Sequence, residues 1–444
     1  MGENGAVPAQ ERTGSVRPGW NLVRIWVWTA SSMVGSRTLN VVYPLLALWL
    51  TGSPVQAGWT GFALTLPTLL FYIPAGVLAD RVDPRLLILV TEAARGLTVA
   101  SVTAAVAFDA ADFSHILAAA FVEGALWVFH SLGETALIRS FVPQGDLRGV
   151  LTTSETSSHV AVLTARPLGG FLFGVAPAAP FLVNTLLFFM SFFSVLSLRG
   201  HDPRQAGEAK EAAGRVRFLR EMADGVKALT AHPFLRNAMA LTTVTNLMVN
   251  TLIMVFIAGS ASLPPLQVGL VLAAGGLGGV LGSALASAIP AFTTAANTAI
   301  GSAGRPAWRL SEHGWRNAML FAQMWIWAVA LCVAAFGGHP LFFGAAVLMT
   351  GCTGALSNVS IRAFEIANVE RSKLARAVSV HRLTVHGVVC FASPLGGLLV
   401  SVLGTAGAAQ GLFAAMAAVA LTVTIWCIAR RITLRRIGRQ TAKA

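Results

Sequence analysis

The feature that most limits what this chain can become is a recurrence of long apolar stretches separated by polar segments. They lie near 25–49, 57–79, 86–108, 114–137, 153–176, 179–198, 235–258, 266–289, 317–337, 341–361, 379–403 and 406–429. At about 1.5 Å of rise per residue, each can cross a hydrocarbon core of about 30 Å as a helix. Hydrophobic residues are 55% of the 444, charged residues 11%, and the mean hydropathy is +0.68, which excludes an ordinary soluble domain. About twelve transmembrane helices are expected. The segment 1–21 is polar and carries no leader pattern, so the first span is expected to be retained as the insertion signal.

Lys and Arg fall in every second connection. Arg12, Arg17 and Arg24 precede the first span, Arg81 and Arg85 follow the second, Arg139 and Arg148 the fourth, and Arg199 to Arg236 the sixth. Arg305, Arg309 and Arg316 follow the eighth, Arg362, Arg371, Lys373 and Arg376 the tenth, and Arg430 to Lys443 the last. The turns around 51–56, 109–113, 177–180, 259–265, 338–340 and 404–407 contain neither. Cytoplasmic connections collect these residues, so both termini are expected in the cytoplasm of a multi-pass protein of the cell (inner or plasma) membrane. The net charge of +13 then reflects topology and anionic headgroups, and no nucleic-acid partner is expected. The expected domains are a cytoplasmic tail over 1–21, an N-terminal six-helix bundle over 22–199, a cytoplasmic linker over 200–234, a C-terminal bundle over 235–429 and a basic tail over 430–444. In the linker, Phe218, Leu219, Met222, Val226 and Leu229 form one helical stripe, the mark of an amphipathic surface helix.

The halves repeat one another. Arg166-Pro167-Leu168-Gly169-Gly170 in the fifth span returns as Ser393-Pro394-Leu395-Gly396-Gly397 in the eleventh, and in that register Glu155 aligns with Arg382. Such internal symmetry is expected of two bundles that face each other around a midplane site. Gly275, Gly278, Gly279 and Gly282 in the eighth span are spaced for close helix approach. The four cysteines lie one each in spans nine to twelve, and neither a disulfide framework nor a metal site is expected.

Between the second and third spans the chain reads Gly76-Val-Leu-Ala-Asp80-Arg81-Val-Asp83-Pro84-Arg85. This Gly-x-x-x-Asp-Arg-x-x-x-Arg turn resembles the signature loop of the major facilitator superfamily, with Asp83 where that family usually carries glycine. The resemblance implies an all-α integral membrane protein whose two six-helix bundles are related by pseudo-two-fold symmetry. Leu50-Thr51-Gly52-Ser53-Pro54, Ala79 to Asp83, and Val142-Pro143 with Asp146-Leu147-Arg148 are similar to the enterobactin-exporter and macrolide-efflux branch. Members of that branch export siderophores, antibiotics or other metabolites, commonly as proton antiporters. The fifth span resembles an antiporter signature, with Arg166 in place of the usual small residue. The resemblance makes Asp80 a latch to the eleventh span. The conformational gate is assigned to Gly76, Asp80, Arg81, Arg85, Glu155, Arg382, Pro167, Gly170, Pro394 and Gly397.

A charge at membrane depth costs about 2.5 to 3.5 kcal/mol on insertion scales, so each needs a reason. Arg37, Glu123 and Arg166 lie about 10 to 13 residues from the Lys/Arg-free end of their spans, roughly 15 to 20 Å deep. Glu123 is expected to carry the coupling proton with Arg166 as its electrostatic partner, and Arg37 to meet the substrate; a purely structural Glu123–Arg166 pair is the alternative. Glu123, Trp127, His130 and Glu134 share a helix face, as do Arg37 and Asn40. Asn246, Asn250 and Asn358 offer neutral cavity contacts, whereas Glu92 and Arg95, one helical turn apart, read as a structural pair.

None of the lysines follows a glycine, which excludes a phosphate-cradling loop and ATP coupling in this chain. The histidines are scattered rather than clustered, so no enzyme and no cofactor is expected. The sequence reads as a monomeric secondary transporter exporting a small molecule by proton antiport, with uptake or symport of a small anionic metabolite as the alternative.

Overall fold

The computed structural model describes residues 18–79, 82–141, 163–198, 223, 226–227, 229–299, 312–337, 339–369, 380–381, 383–385 and 387–441. Within them the chain is helical. The first bundle comprises α1 (Pro18–Thr51), α2 (Pro54–Ala79), α3 (Pro84–Ala107), α4 (Phe113–Phe141), α5 (163–175) and α6 (Ala179–Leu196). The second comprises α7 (Pro233–Ala258), α8 (Pro265–Ala299), α9 (Glu312–Phe336), α10 (Pro340–Asn368), then α11 and α12. These last two occupy Ala392–Thr441 and are separated by a non-helical kink at Gly404, where φ is 70° and ψ 173°. A 3-10 turn over Val388–Phe391 leads into α11 (392–403), and α12 (405–441) follows the break.

Local chemistry sets these boundaries. Proline opens α2, α3, α7, α8 and α10, where its missing N–H costs nothing and its fixed φ favours the first turn. Asp83 caps α3 by accepting a 2.8 Å hydrogen bond from the Arg85 backbone N–H, which explains an acid at that place in the turn. Gly52, with φ of 64°, makes the α1–α2 turn. At the other end Arg24 and Arg85 donate to the Ser197 and Leu196 carbonyls at 2.6 and 2.8 Å, satisfying the exposed C-terminus of α6.

Among the described residues nine segments are long and apolar enough to cross a membrane, one of them, Leu383–Cys427, running over both α11 and α12. Each bundle has its own apolar core. Leu39, Val42, Leu64, Val99, Ile116, Phe181 and Phe188 fill the first; Leu252, Val271, Met324, Leu331, Val347 and Met416 fill the second. Close backbone approach tightens both. A side chain at Gly124 of α4 would meet the Leu64 carbonyl oxygen of α2 at 2.0 Å, and one at Gly278 of α8 the Leu348 carbonyl oxygen of α10 at 2.1 Å.

The bundles meet through two matching contacts. In one, a side chain at Gly170 of α5 would strike the Pro265 carbonyl oxygen at 2.2 Å, and one at Gly269 of α8 the Arg166 carbonyl oxygen at 2.5 Å. In the other, Gly397 of α11 stands against the Pro54 carbonyl oxygen at 2.4 Å, and Gly58 of α2 against the Ser393 carbonyl oxygen at 2.7 Å. Gly58 and Gly269 belong to a second repeat, Pro54-Val-Gln-Ala-Gly58 and Pro265-Leu-Gln-Val-Gly269, which sequence reading passed over. The pseudo-two-fold is therefore written into the glycines that let the halves touch, at the Lys/Arg-free end.

Candidate functional site

Between the bundles lies a cavity of about 260 Å³. α1 and α5 contribute Arg37 and Arg166. The second bundle contributes Thr242, Asn246 and Asn250 of α7, Gly275 of α8, Gln323 and Trp327 of α9, and Thr350 and Asn358 of α10. From Val347 to Asn358 the lining follows α10 for about 16 Å. A smaller space of about 120 Å³ continues along α1, lined by Arg37, Asn40, Thr65, Arg166 and Ser393.

The polar lining is held in place by its own helices. Asn246 and Asn250 donate to the Thr242 and Asn246 carbonyls at 2.9 and 2.8 Å, which ties both amides to the backbone of α7. Trp327 donates its indole N–H to Thr353 Oγ1 at 2.8 Å, and Ser357 hydrogen-bonds Gln323 Oε1. Arg166 donates from Nη1 to the Leu272 carbonyl of α8 at 2.8 Å, so the residue that departs from the antiporter pattern ties α5 to the opposite bundle. Its counterpart in the repeat, Ser393, packs instead against Gly61 of α2.

A second polar assembly lies inside the first bundle. Arg95 of α3, fully buried, donates from Nε and Nη2 to Glu123 Oε1 of α4 at 2.9 and 2.7 Å. It also donates to Ser32 and Ser36 of α1 at 3.0 and 2.6 Å, and its guanidinium carbon stands 4.1 Å from the Phe188 ring centroid of α6. Glu92, on the next turn of α3, lies 3.7 Å from Arg95 Nη1 and 2.7 Å from His130 Nε2. His130 Nδ1 is 4.0 Å from Glu134 Oε2.

These positions correct one expectation and divide the others. Glu123 pairs with Arg95, not Arg166, because α4 lies against α2 and α3 whereas α5 lies between α1 and α8. Glu92 and Arg95 are therefore part of the same assembly as Glu123. Arg37, Arg166, Asn246, Asn250 and Asn358 line the main cavity and Asn40 the smaller one, while Glu123 and His130 lie in the bundle interior. Trp127 shares a helical face with them in projection but is 37% exposed, outside the assembly. Pro167, Gly170, Pro394 and Gly397 form the symmetric contacts between bundles. Gly76 has open space around it, and Arg85 is bonded within its own bundle. Asp80, Arg81, Glu155 and Arg382 lie outside the described residues, as do most of the linker stripe and residues 1–17 and 442–444 of the tails. Gln323 and Trp327 were missed; they lie a turn apart on one face of α9, which is the signal that was available.

A sequence profile described as the Major Facilitator Superfamily matches residues 25–294. No curated protein sequence matches the chain. Among solved structures, the nucleoside transporter NupG aligns with a TM-score of 0.66 at 14% identity, covering 92% of this chain and 98% of that one. A bacterial homologue of the human lysosomal transporter Spinster, inward-facing and unoccupied, aligns at 0.64 and 14% identity, covering 93% and 96%. A POT family transporter in complex with 5-aminolevulinic acid aligns at 0.64 and 10% identity, covering 92% and 95%.

Proposed function

The chain belongs to the Major Facilitator Superfamily, and from that premise we propose that it is a proton-coupled exporter of a small molecule in the cell membrane, related to the siderophore- and macrolide-efflux branch. The observation that carries this reading is the cavity shared by both bundles, next to symmetric glycine contacts that close them at the Lys/Arg-free end. A rocking motion that parts Gly58 from Ser393 and Gly269 from Arg166 would expose the same cavity to the other side, which is alternating access. With both termini and the 200–234 linker read as cytoplasmic from the one-sided arginines, the glycine contacts close the outer end in this state. Arg37, Asn40, Arg166, Asn246, Asn250 and Asn358 form the substrate path; Glu123, His130 and their partners form the proton side. Asp80, Arg81, Glu155 and Arg382 complete the gate at the basic end. The working unit is a monomer.

A specific observation favours a second reading. Arg37 and Arg166 line the cavity, and the described lining contains no carboxylate. That field suits a carboxylate- or phosphate-bearing substrate, and uptake of such an anion by symport would use the same site.

The test is to compare metabolites retained by cells lacking and overexpressing the protein, then to follow the candidate in proteoliposomes under an imposed pH gradient. Saturable efflux against the proton flow is expected. Gradient-driven accumulation in the same direction as protons selects the symport reading, and flux that neither saturates nor responds to pH overturns both.

A further inference from the structure

The buried assembly of the first bundle holds more acid than base. Glu92, Glu123 and Glu134 face Arg95 and the imidazole of His130, and no charged side chain comes from α2 or α6, whose sequences contain none. α1 adds the neutral Trp28, Ser32 and Ser36 around Arg95 and His130, with the buried Tyr43 hydroxyl in the electrostatic reach of Glu123 and Arg95.

Geometry divides these groups into two sets. Glu123 takes two hydrogen bonds from a guanidinium that is always protonated, which makes it a settled ion pair. Glu92 Oε1 stands 2.7 Å from His130 Nε2, an ion-pair contact that sets the ring beside α3. Trp28 and Ser32 crowd that same nitrogen at 3.4 Å, which leaves Nδ1 as the more open side of the ring. Nδ1 faces Glu134, whose side chain is 23% exposed where those of Glu92 and Arg95 are fully buried.

We propose that the exchangeable proton is carried by His130, oriented by Glu92 at Nε2 and loaded and unloaded at Nδ1 through Glu134, rather than by Glu123. Loading transfers one proton from the Glu134 carboxyl to Nδ1 when the two, 4.0 Å apart here, close to hydrogen-bond distance, converting a neutral imidazole and acid into an imidazolium and carboxylate; unloading reverses it. The imidazole also touches α1, with Ser32 Oγ and Trp28 Nε1 each 3.4 Å from Nε2. Arg37 lies beyond Ser32 on that helix, about 7.5 Å along it, so a change of charge at His130 is felt at the cavity wall. This inference rests on proton coupling only for its use, not for its measurement.

The experiment is a pH titration of the full-length protein, with isotope-labelled histidine, in lipid nanodiscs and without substrate, following the His130 ring by NMR and assigning it with His130→Gln. The wild-type His130 ring should gain and lose a proton in the course of the titration. Isosteric Glu92→Gln should lower the imidazolium fraction at a fixed pH about tenfold or more, and Glu134→Gln should slow the exchange of the Nδ1 proton. Glu123→Gln, which removes one charge from the same assembly, should shift the ring's titration without abolishing it. A ring that stays neutral throughout, or one whose titration disappears in Glu123→Gln while surviving in Glu92→Gln, overturns the proposal. If His130 titrates as expected but a pH gradient drives no flux, the antiport reading falls and the proton site stands. Gradient-driven flux with a silent His130 has the opposite meaning.

Discussion

The two bundles share a fold and an interface but solve the problem of a polar interior in different ways. Between α3 and α4 the first bundle buries an Arg95–Glu123 ion pair with Glu92 and His130 beside it. Between α9 and α10, the corresponding neighbours in the second, the buried polar contacts are Gln323 with Ser357 and Trp327 with Thr353. Ionised groups in a low-dielectric interior are costly and respond to protons; amides and hydroxyls satisfy one another at any pH. The difference assigns labour. The α3–α4 layer carries ionisable groups, whereas the α9–α10 layer presents neutral hydrogen-bonding groups beside the cavity; the second bundle keeps its own buried carboxylate, Glu365 of α10, apart from that layer, 2.7 Å from His381 Nδ1.

The largest effect that would break this comparison is on folding. Arg95→Leu leaves Glu123 and Glu92 buried without their cation and should cost about 3 to 5 kcal/mol. Gln323→Leu, its neutral counterpart, should cost about 1 kcal/mol. Heating each variant and measuring the monodisperse fraction that survives gel filtration gives the ranking; equal losses would mean that the bundles do not differ in this way.

Next in size is the interface, where the halves should behave alike. Gly170→Leu and Gly397→Leu each force a side chain onto a proline carbonyl that lies 2.2 and 2.4 Å from the new Cβ. Both should reduce proteoliposome flux at least about tenfold, the equivalent of about 1.4 kcal/mol, and by similar factors. A loss confined to one variant would show that only one of the two contacts forms the closed state.

The smallest expected effect sharpens the one break in the repeat. Arg166→Ser makes the α5 motif match Ser393 of α11 and removes the bond to the Leu272 carbonyl. The protein should fold normally, yet half-saturation for an anionic substrate should rise roughly tenfold, about what one charge-assisted hydrogen bond supplies. An unchanged value would make Arg166 a tether between bundles and nothing more.

Much of this was legible along the chain. Depth can be counted in helical turns, and that count places Arg95 and Glu123 in one layer, each about three turns from the Lys/Arg-free end of its helix, at Ala107 of α3 and Phe113 of α4. The i, i+3 spacing of Glu92 and Arg95 makes them a self-contained pair on their own helix, which masks that match. The Pro-Leu-Gly-Gly repeat identified two of the helices that join the halves, and its Pro-x-Gln-x-Gly partners beginning at Pro54 and Pro265 were equally visible.

What the sequence determined by itself was therefore one-dimensional: the number of spans, their ends, the end that carries the arginines, and the small residues at which helices approach. Partnership was decided only in three dimensions. Glu123 meets Arg95 because Gly124 presses α4 onto the Leu64 carbonyl of α2 beside α3, while Gly169 and Gly170 seat α5 against α1 and α8 and carry Arg166 to Leu272. A residue's depth follows from counting along its own helix, but the neighbour it faces depends on rotation about that helix and on which helices lie adjacent. Those are set by packing many side chains at once, which no single span encodes.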